Sequence, residues 1–508
     1  MSRLREHRWL LIFWGLAVLA TWLVRHHVFF WDTIQLGSKH AHWYYENHFK
    51  YLLLPTEIDS GHPPVFGMYL AAMWQVFGKS LIVSHFAILP FLFGMIYFLL
   101  QIGKYLVNKK LAPLLLLLCV VDPTLAAQSL LVSPDVILVC FFLMGLHAIF
   151  QDKSWLKTLA ALGLALISMR GMMVVIVLFL FEILNHIINS QKALTTDDSV
   201  TDLRAGGAPF IRGVSGVRRG QIKIFSIFKL LITKVLPYIP AGLFGLAFLI
   251  WHYQQTGWIG YHPDSPWAPS FERVDMQGFI KNIAVLGWRM LEFGRVFVWI
   301  ALIFITLQIR KYNKLNKLWQ HQQVRQMVLL LIISTLILTP SLLLHRGLSA
   351  QRYLLPIYLA LTFLCFMLIF NYLQNKNIRN IIFGITFLGL LTGNLWVYPD
   401  KISQGWDATL AHLPYYQLRA QMLEYIDNQN IPPETIGTAF PEIGAFKYKD
   451  LSDRTEGFAA KDLQTQDYIL YSNIMNDFSD AEIDRLREEW EVVKRFENQG
   501  IKMILYQK

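Results

Sequence analysis

The chain has 508 residues, of which 54% are hydrophobic and 16% charged; an ordinary soluble domain carries about 25% charged residues, so a purely soluble globular fold is excluded. The net charge of +11 does not point to nucleic acid, because Lys and Arg cluster in short stretches between apolar runs, as the positive-inside rule places them, and no basic stripe lies on a soluble module. Cys119, Cys140 and Cys365 all fall inside apolar runs; they read as small core residues and not as a disulfide framework.

A membrane-crossing helix needs about 20 mostly apolar residues. In chain order the candidates are 9–29, 81–103, 111–128, 135–150, 157–168, 172–189, 229–251, 288–309, 326–344, 353–373 and 380–397, about eleven spans. The basic start (Arg3, Arg5, Arg8) leads into the first of them without a small-x-small cleavage site, so it reads as a retained span. Segments 157–168 and 172–189 read as a broken pair that turns at Met169-Arg170-Gly171. With the N-terminus inside, the inner loops hold Lys104, Lys109 and Lys110, then Lys153 and Lys157. The next, 190–228, holds Lys192, Arg204, Arg212, Arg218, Arg219 and Lys223. The last two hold Arg310, Lys311, Lys314, Lys317 and Arg325, then Lys376 and Arg379. The outer loops are poorer in cations, which fits this count. Residues 190–228, basic and without apolar period, read as a flexible inner loop. Residues 252–287 read as an outer loop whose Trp258, Tyr261, Pro263, Pro266, Trp267 and Pro269 suit the headgroup region.

Acids return between 400 and 508. Short strand-like runs fall at 435–440, 467–472 and 502–507, and 480–496 reads as a helix capped by Ser479 or Asp480. The expected fold is therefore an all-α polytopic membrane protein over 1–399 with a small α/β extracytoplasmic domain over 400–508. The expected location is a plasma (inner) membrane crossed many times, with the N-terminus cytoplasmic.

The first outer loop, 30–80, is the richest in candidate chemistry. Phe29-Phe30-Trp31-Asp32 sets a carboxylate where the first span leaves the membrane. Partial desolvation among aromatic rings suits a general base. Residues 33–49 place Ile34, Ala41, Tyr44, Tyr45 and Phe49 on one side, the pattern of a helix lying in the interface. Asp59-Ser60-Gly61-His62-Pro63-Pro64 follows, its prolines stiffening the chain as it re-enters the bilayer. Residues 65–77 are too short to span. Asp135 stands on the same face, in Leu131-Val132-Ser133-Pro134-Asp135; a plain helix start, capped by Ser133 or Asp135 with Pro134 in the first turn, explains it equally well. Arg170 interrupts an apolar run on the outer side, where it either snorkels or holds a lipid phosphate by charge-assisted hydrogen bonds. Arg346 and Arg352 cluster where two spans meet the outer face, either to bind an anionic substrate or to mark the interface. His40, His42, Glu46, His48 and His62 crowd the first loop. His42 and Glu46, four apart, can share a helix face, which makes a divalent metal ion a candidate cofactor; the alternative is a set of interfacial histidines, since no HExxH or cysteine ligand lies nearby. The absence of a P-loop, GxSxG or GxGxxG in context argues against ATP-driven work and serine hydrolysis.

Taken in order, Asp32 after the first span, Gly61-His62-Pro63-Pro64-Val65-Phe66, Phe77-Gly78-Lys79-Ser80, Ser133-Pro134-Asp135 and Arg352-Tyr353-Leu354-Leu355-Pro356 resemble the polytopic GT-C glycosyltransferases. The nearest group is the bacterial relatives of protein O-mannosyltransferases and lipid A aminoarabinose transferases, the family 39 relatives. The resemblance covers 1–190 and, more thinly, 345–373. It implies a polyprenyl-phosphate-linked sugar donor, a lipid, glycan or protein acceptor, membrane lipids as surroundings, and inverting transfer at the outer face. By the same resemblance Asp32 is the base or acceptor-orienting acid, Asp135 a second acid, and Arg170 a contact for the carrier phosphate. His62, Arg346 and Arg352 are further substrate-binding candidates. One departure stands out: the family commonly has Asp-Glu after the first span, and here the pair is Asp32-Thr33. Glu46, Glu57 and Asp59 are the candidates to replace the missing acid. The rival readings are a membrane transporter or lipid flippase, which would call for paired broken helices and an internal repeat, and a non-catalytic envelope assembly protein.

Overall fold

The computed structural model describes residues 2–201, 232–265, 268–311 and 315–508, with side chains described outside 1–7, 190–201 and 315–317. The side chains of Arg3, Arg5, Lys192, Arg204, Arg212, Arg218, Arg219, Lys223, Pro266, Trp267, Lys314 and Lys317 thus lie outside the described residues.

Among the described residues, five helices are long and apolar enough to cross a membrane: Leu81–Leu106, Met169–Asn189, Ile232–Thr256, Gln322–Leu344 and Gln351–Tyr372. The pair Ala112–Val120 and Pro123–Leu130, bent by 75°, makes a sixth if it counts as one span. Shorter apolar helices occupy Arg8–Val24, Val65–Phe77, Pro134–Phe150 and Ser154–Ile167. Helix Leu355–Tyr372 is buried along nearly its whole length, which is why it reads apolar on every face.

Two breaks have local causes. Ser168 is extended, at φ −171° and ψ 161°, and separates helix Ser154–Ile167 from Met169–Thr201, where the sequence predicts a turn at 169–171. The bend before Pro123 arises because Asp122 caps a new helix, accepting from the N–H groups of Thr124 and Leu125 at 3.0 and 3.2 Å. Proline at the first helical position fits that start.

The structure corrects several expected boundaries. The helix from Met169 runs on to Thr201, so the first part of the expected loop 190–228 is helical. The outer loop 252–287 contains helix Met276–Arg289, started by Asp275, whose carboxylate accepts from Gly278 N–H at 2.8 Å. The span expected from 288 begins at Val296, because Phe293 and Gly294 both take positive φ and break the chain there.

The last hundred residues form a six-stranded sheet in the order β2-β3-β1-β4-β6-β5, from β1 (Ile436–Thr438), β2 (Gly444–Ala445), β3 (Gly457–Ala460), β4 (Tyr468–Ser472), β5 (Glu491–Asn498) and β6 (Ile501–Gln507). The parallel pairs are β1 with β3 and with β4; β6 runs antiparallel to β4 and β5. Ser479 and Glu482 form a capping box, but that helix stops at Glu489. The chain predicted to continue it, through Val492 and Val493, is β5, which turns at Gln499 and Gly500, both at positive φ, to pair with β6. Here β-branched residues and a hairpin turn override the helical pattern. The core of this domain includes Phe30 and Leu131 from the helical part, beside Trp406, Tyr415 and Phe446. The sheet region thereby packs against the loop that follows the first helix, through Phe30, and against the turn before helix Pro134–Phe150, through Leu131.

Candidate functional site

Asp32 sits on a tight turn. Trp31 takes φ +57°, an uncommon conformation for a bulky residue, held where surrounding structure fixes it. Thr33 supplies part of that hold. Its Oγ1 accepts from Phe30 N–H at 3.0 Å and donates to Phe30 O at 2.7 Å, and Ile34 N–H closes onto Trp31 O at 3.0 Å. Phe30 is buried against His412, ring centres 4.9 Å apart, and Trp31 meets Phe440 at 5.2 Å. Thr33, in the place where a second acid would be expected, is thus a buried brace for the turn that presents Asp32.

Asp135 opens helix Pro134–Phe150, with Ser133 as cap: Ser133 Oγ accepts from Asp135 N–H at 3.1 Å. The capping reading is therefore right. It does not exhaust the residue, whose carboxylate also accepts from Arg170 Nη1 and receives Arg352 Nε at 3.4 Å. Arg170 starts the helix after the Ser168 break, and its guanidinium lies 3.8 Å over the Tyr353 ring, a favourable cation–π placement.

Arg352 is the hub. Only 4% of its side chain is exposed; Nη2 donates to Asp32, Nη1 donates to Asp407, and Asp135 faces Nε. Asp407 is buried and comes from the C-terminal side of the last membrane-region helix, in a short turn over Trp406–Ala408. Gln128 donates to its main-chain oxygen at 2.8 Å and reaches its carboxylate at 3.4 Å. Gln128 is oriented in turn by Ser133 Oγ, which donates to Gln128 Oε1 at 2.5 Å. Gly405, two residues before Asp407, packs closely against the Gln351 side-chain amide. Nothing in the local sequence around Asp407 marks it; only the fold brings it beside Arg352.

A cavity of about 190 Å³ opens beside the cluster. Asp32, Ser60, His62 and Arg170 line it together with Met173, Phe271, Leu338, Leu342 and Leu348. His62 Nδ1 accepts from Met169 N–H at 3.4 Å, which leaves its hydrogen on Nε2. Burial, reinforced by the positive Arg170, lowers the His62 pKa to about 4, so the ring is a neutral donor at neutral pH. A pocket of about 20 Å³, room for a single water, lies between His40, Ser60, His62, Asp135 and Arg170.

Other sequence candidates fall elsewhere. Arg346 is 73% exposed and pairs with Glu272 at 3.1 Å at the surface. Glu46 is half exposed and pairs with Lys447 at 3.3 Å, and Glu57 is exposed. Asp59 is buried, but it is taken by His252 Nε2 at 3.0 Å and by Gly61 N–H at 2.8 Å. It shapes the loop that carries His62. Gly61 itself has φ +67°, and a Cβ there would press on Gly260 and Trp258 at 3.0 Å. The loop histidines do not converge: His40 bonds Ile58 O at 2.7 Å, His42 bonds Ser38 O at 2.8 Å, and His48 is exposed. Among the described residues no three His, Cys, Asp or Glu side chains are arranged to hold a metal ion, so the residues present do not fit a resident divalent ion.

The fold and site define a helical protein with spans long and apolar enough for a membrane, carrying three carboxylates and two guanidiniums gathered beside a cavity with an apolar wall. Among solved structures, the crystal structure of ArnT from Cupriavidus metallidurans bound to undecaprenyl phosphate aligns over 98% of this chain and 98% of that one, at 10% sequence identity and a TM-score of 0.47. No family model and no curated protein matches the sequence.

Proposed function

We propose that this protein is a membrane glycosyltransferase that moves a sugar from a polyprenyl-phosphate carrier to an acceptor hydroxyl at the outer membrane face, with inversion. The observation that supports it best is the meeting of Asp32, Arg170 and Arg352, from three distant parts of the chain, beside a cavity whose remaining wall is largely apolar. Such a site matches an amphipathic ligand with an anionic head: guanidiniums hold phosphate oxygens and the apolar wall accepts the first isoprene units.

In this reading Asp32 takes the proton of the acceptor hydroxyl. The freed oxygen attacks the anomeric carbon from the face opposite the phosphate, and the bond from that carbon to the phosphate oxygen breaks. The electron pair leaves with the polyprenyl phosphate. Arg170 and Arg352 stabilise the charge gathering on the phosphate, the kind of fixed electrostatic support that acts most strongly where water is excluded. Asp135 holds Arg170 in place, and His62 offers its Nε2–H to a phosphate or sugar oxygen. No nucleotide takes part, since the carrier supplies the activation. On an odd number of spans, such as the eleven expected from the sequence, the C-terminal domain lies outside, next to the acceptor.

The test is mass spectrometry of carrier-linked sugars and envelope glycans in wild type, a deletion, and Asp32→Asn at matched protein level. Accumulation of one lipid-phosphate sugar, with loss of the same residue from a glycan in both altered strains, is the expected result. A deletion phenotype that Asp32→Asn does not share would shift the reading to transport or assembly.

A further inference from the structure

Arg352 is engaged on all three sides by carboxylates: Asp32 at Nη2, Asp407 at Nη1 and Asp135 facing Nε. If it is to hold a phosphate, it must release one of them. The three are not equivalent. Asp32 lines the cavity and its side chain is 14% exposed. Neither Asp407 nor Arg352 itself lines the cavity, so Asp32 stands between it and the guanidinium; the Asp407 side chain is 5% exposed and fixed by Gln128. Asp135 is already shared with Arg170. An anion arriving through the cavity therefore competes with Asp32 for Nη2 and leaves Nη1 with Asp407.

Building on the proposed function, we infer that Asp407 is a positioning residue: it anchors Arg352 while the carrier phosphate displaces Asp32, so donor binding itself releases the base. Until the phosphate is in place, Asp32 is tied to Arg352 and is poorly placed to take a proton. Once displaced, its carboxylate is free beside the sugar, and the acceptor hydroxyl proton moves to it as the glycosidic bond forms. Donor then binds before acceptor. The C-terminal domain, which supplies Asp407, is part of the site and not merely a cover over it.

The experiment is equilibrium binding of a polyprenyl monophosphate to the purified full-length protein in lipid nanodiscs, for wild type, Asp32→Asn and Asp407→Asn. Removing the competitor in Asp32→Asn is expected to tighten binding on the order of ten-fold, and removing the anchor in Asp407→Asn to weaken it on the order of ten-fold, the scale of coupling between groups in direct contact. The opposite signs are diagnostic. Simple loss of negative charge would tighten both, and loosened structure would weaken both; either same-sign result overturns the inference while leaving the carrier reading standing. Absence of binding to wild type would overturn the carrier reading, and this inference with it. Should Asp407→Asn fail to fold, Gln128→Ala removes what orients Asp407 and keeps every charge. It is expected to weaken binding, and unchanged or tighter binding overturns the anchoring role.

Discussion

Arg295 donates to Asp122 through two hydrogen bonds, Nε to Oδ2 at 2.9 Å and Nη2 to Oδ1 at 2.8 Å, with both side chains almost wholly buried in the helical bundle. The guanidinium also donates to Thr124 Oγ1 at 2.6 Å and stacks 3.6 Å over the Tyr358 ring. Breaking a buried pair by removing one partner costs about 3–5 kcal/mol, because the remaining charge stays buried. Asp122→Ala is therefore expected to lower folded yield and melting temperature sharply. Asp122→Ala combined with Arg295→Met should recover much of the loss. Fluorescence-detected size exclusion with thermal challenge reads both, and a double variant no better than the single would count against the pairing.

Thr33 offers a test of how Asp32 is presented. Thr33→Val keeps the shape and removes the hydroxyl, leaving Phe30 N–H without its side-chain partner. An unsatisfied buried donor costs about 1–3 kcal/mol. The expected outcome is a modest fall in melting temperature and a larger fall in turnover, since the turn at Trp31 loses its brace. Turnover equal to wild type would mean that Asp32 is placed without Thr33.

The candidates for the second acid separate by environment. Glu46→Gln and Glu57→Gln, both at exposed positions, are expected to leave transfer activity within about two-fold, since surface charges of this kind contribute about 0–1 kcal/mol. Asp59→Asn removes the charged partner of His252 in the buried loop that carries His62, and is expected to reduce activity well below either. A large defect in Glu46→Gln alone would reverse this assignment.

Gly61→Ala tests the same loop through its backbone. The 3.0 Å approach to Gly260 and Trp258 means that a methyl group fits only if those neighbours shift, and the left-handed conformation alone adds about 1–2 kcal/mol for an L-residue. Activity should fall with His62 displaced from the cavity, while helical content by circular dichroism stays near wild type.

Acid sensitivity has a definite sign. Burial lowers the pKa of His62 and of His412 from 6.5 to about 4. Between those values the unfolded chain binds more protons than the folded one, so stability is lost as pH falls from 6.5 towards 4 and is fully present above 6.5. Melting temperature measured in detergent from neutral pH downward should drop across this window. His412→Asn, which removes one such group, should show a shallower drop.

Asp32, His62, Asp135, Arg170 and Arg352, which the sequence singles out near the ends of apolar runs, lie close together in the structure; charges at span boundaries are readable in one dimension. Arg346 shares that signal with Arg352, six residues away, but lies on the strand-like stretch that pairs with Glu272 and faces outward; no local pattern separates the two. Asp407 has no such marker. It follows the last membrane-region helix in an irregular turn, and only long-range packing of Trp406 and the neighbouring turn brings it to Arg352. The same limit explains β5: residues 491–498 carry a charged pattern compatible with a helix until the hairpin with β6 is in place.

The reach of Asp407 back to Arg352 also sets an order on biosynthesis. Asp32, Asp135 and Arg170 emerge early from the ribosome and can meet as soon as the first helices insert, whereas Arg352 lacks its full set of partners until the chain beyond residue 407 has been made and folded against Phe30 and Leu131. A half-made chain in the membrane would therefore hold the early charged residues without the geometry that joins them, and competence would arrive only once the region beyond residue 400 has folded.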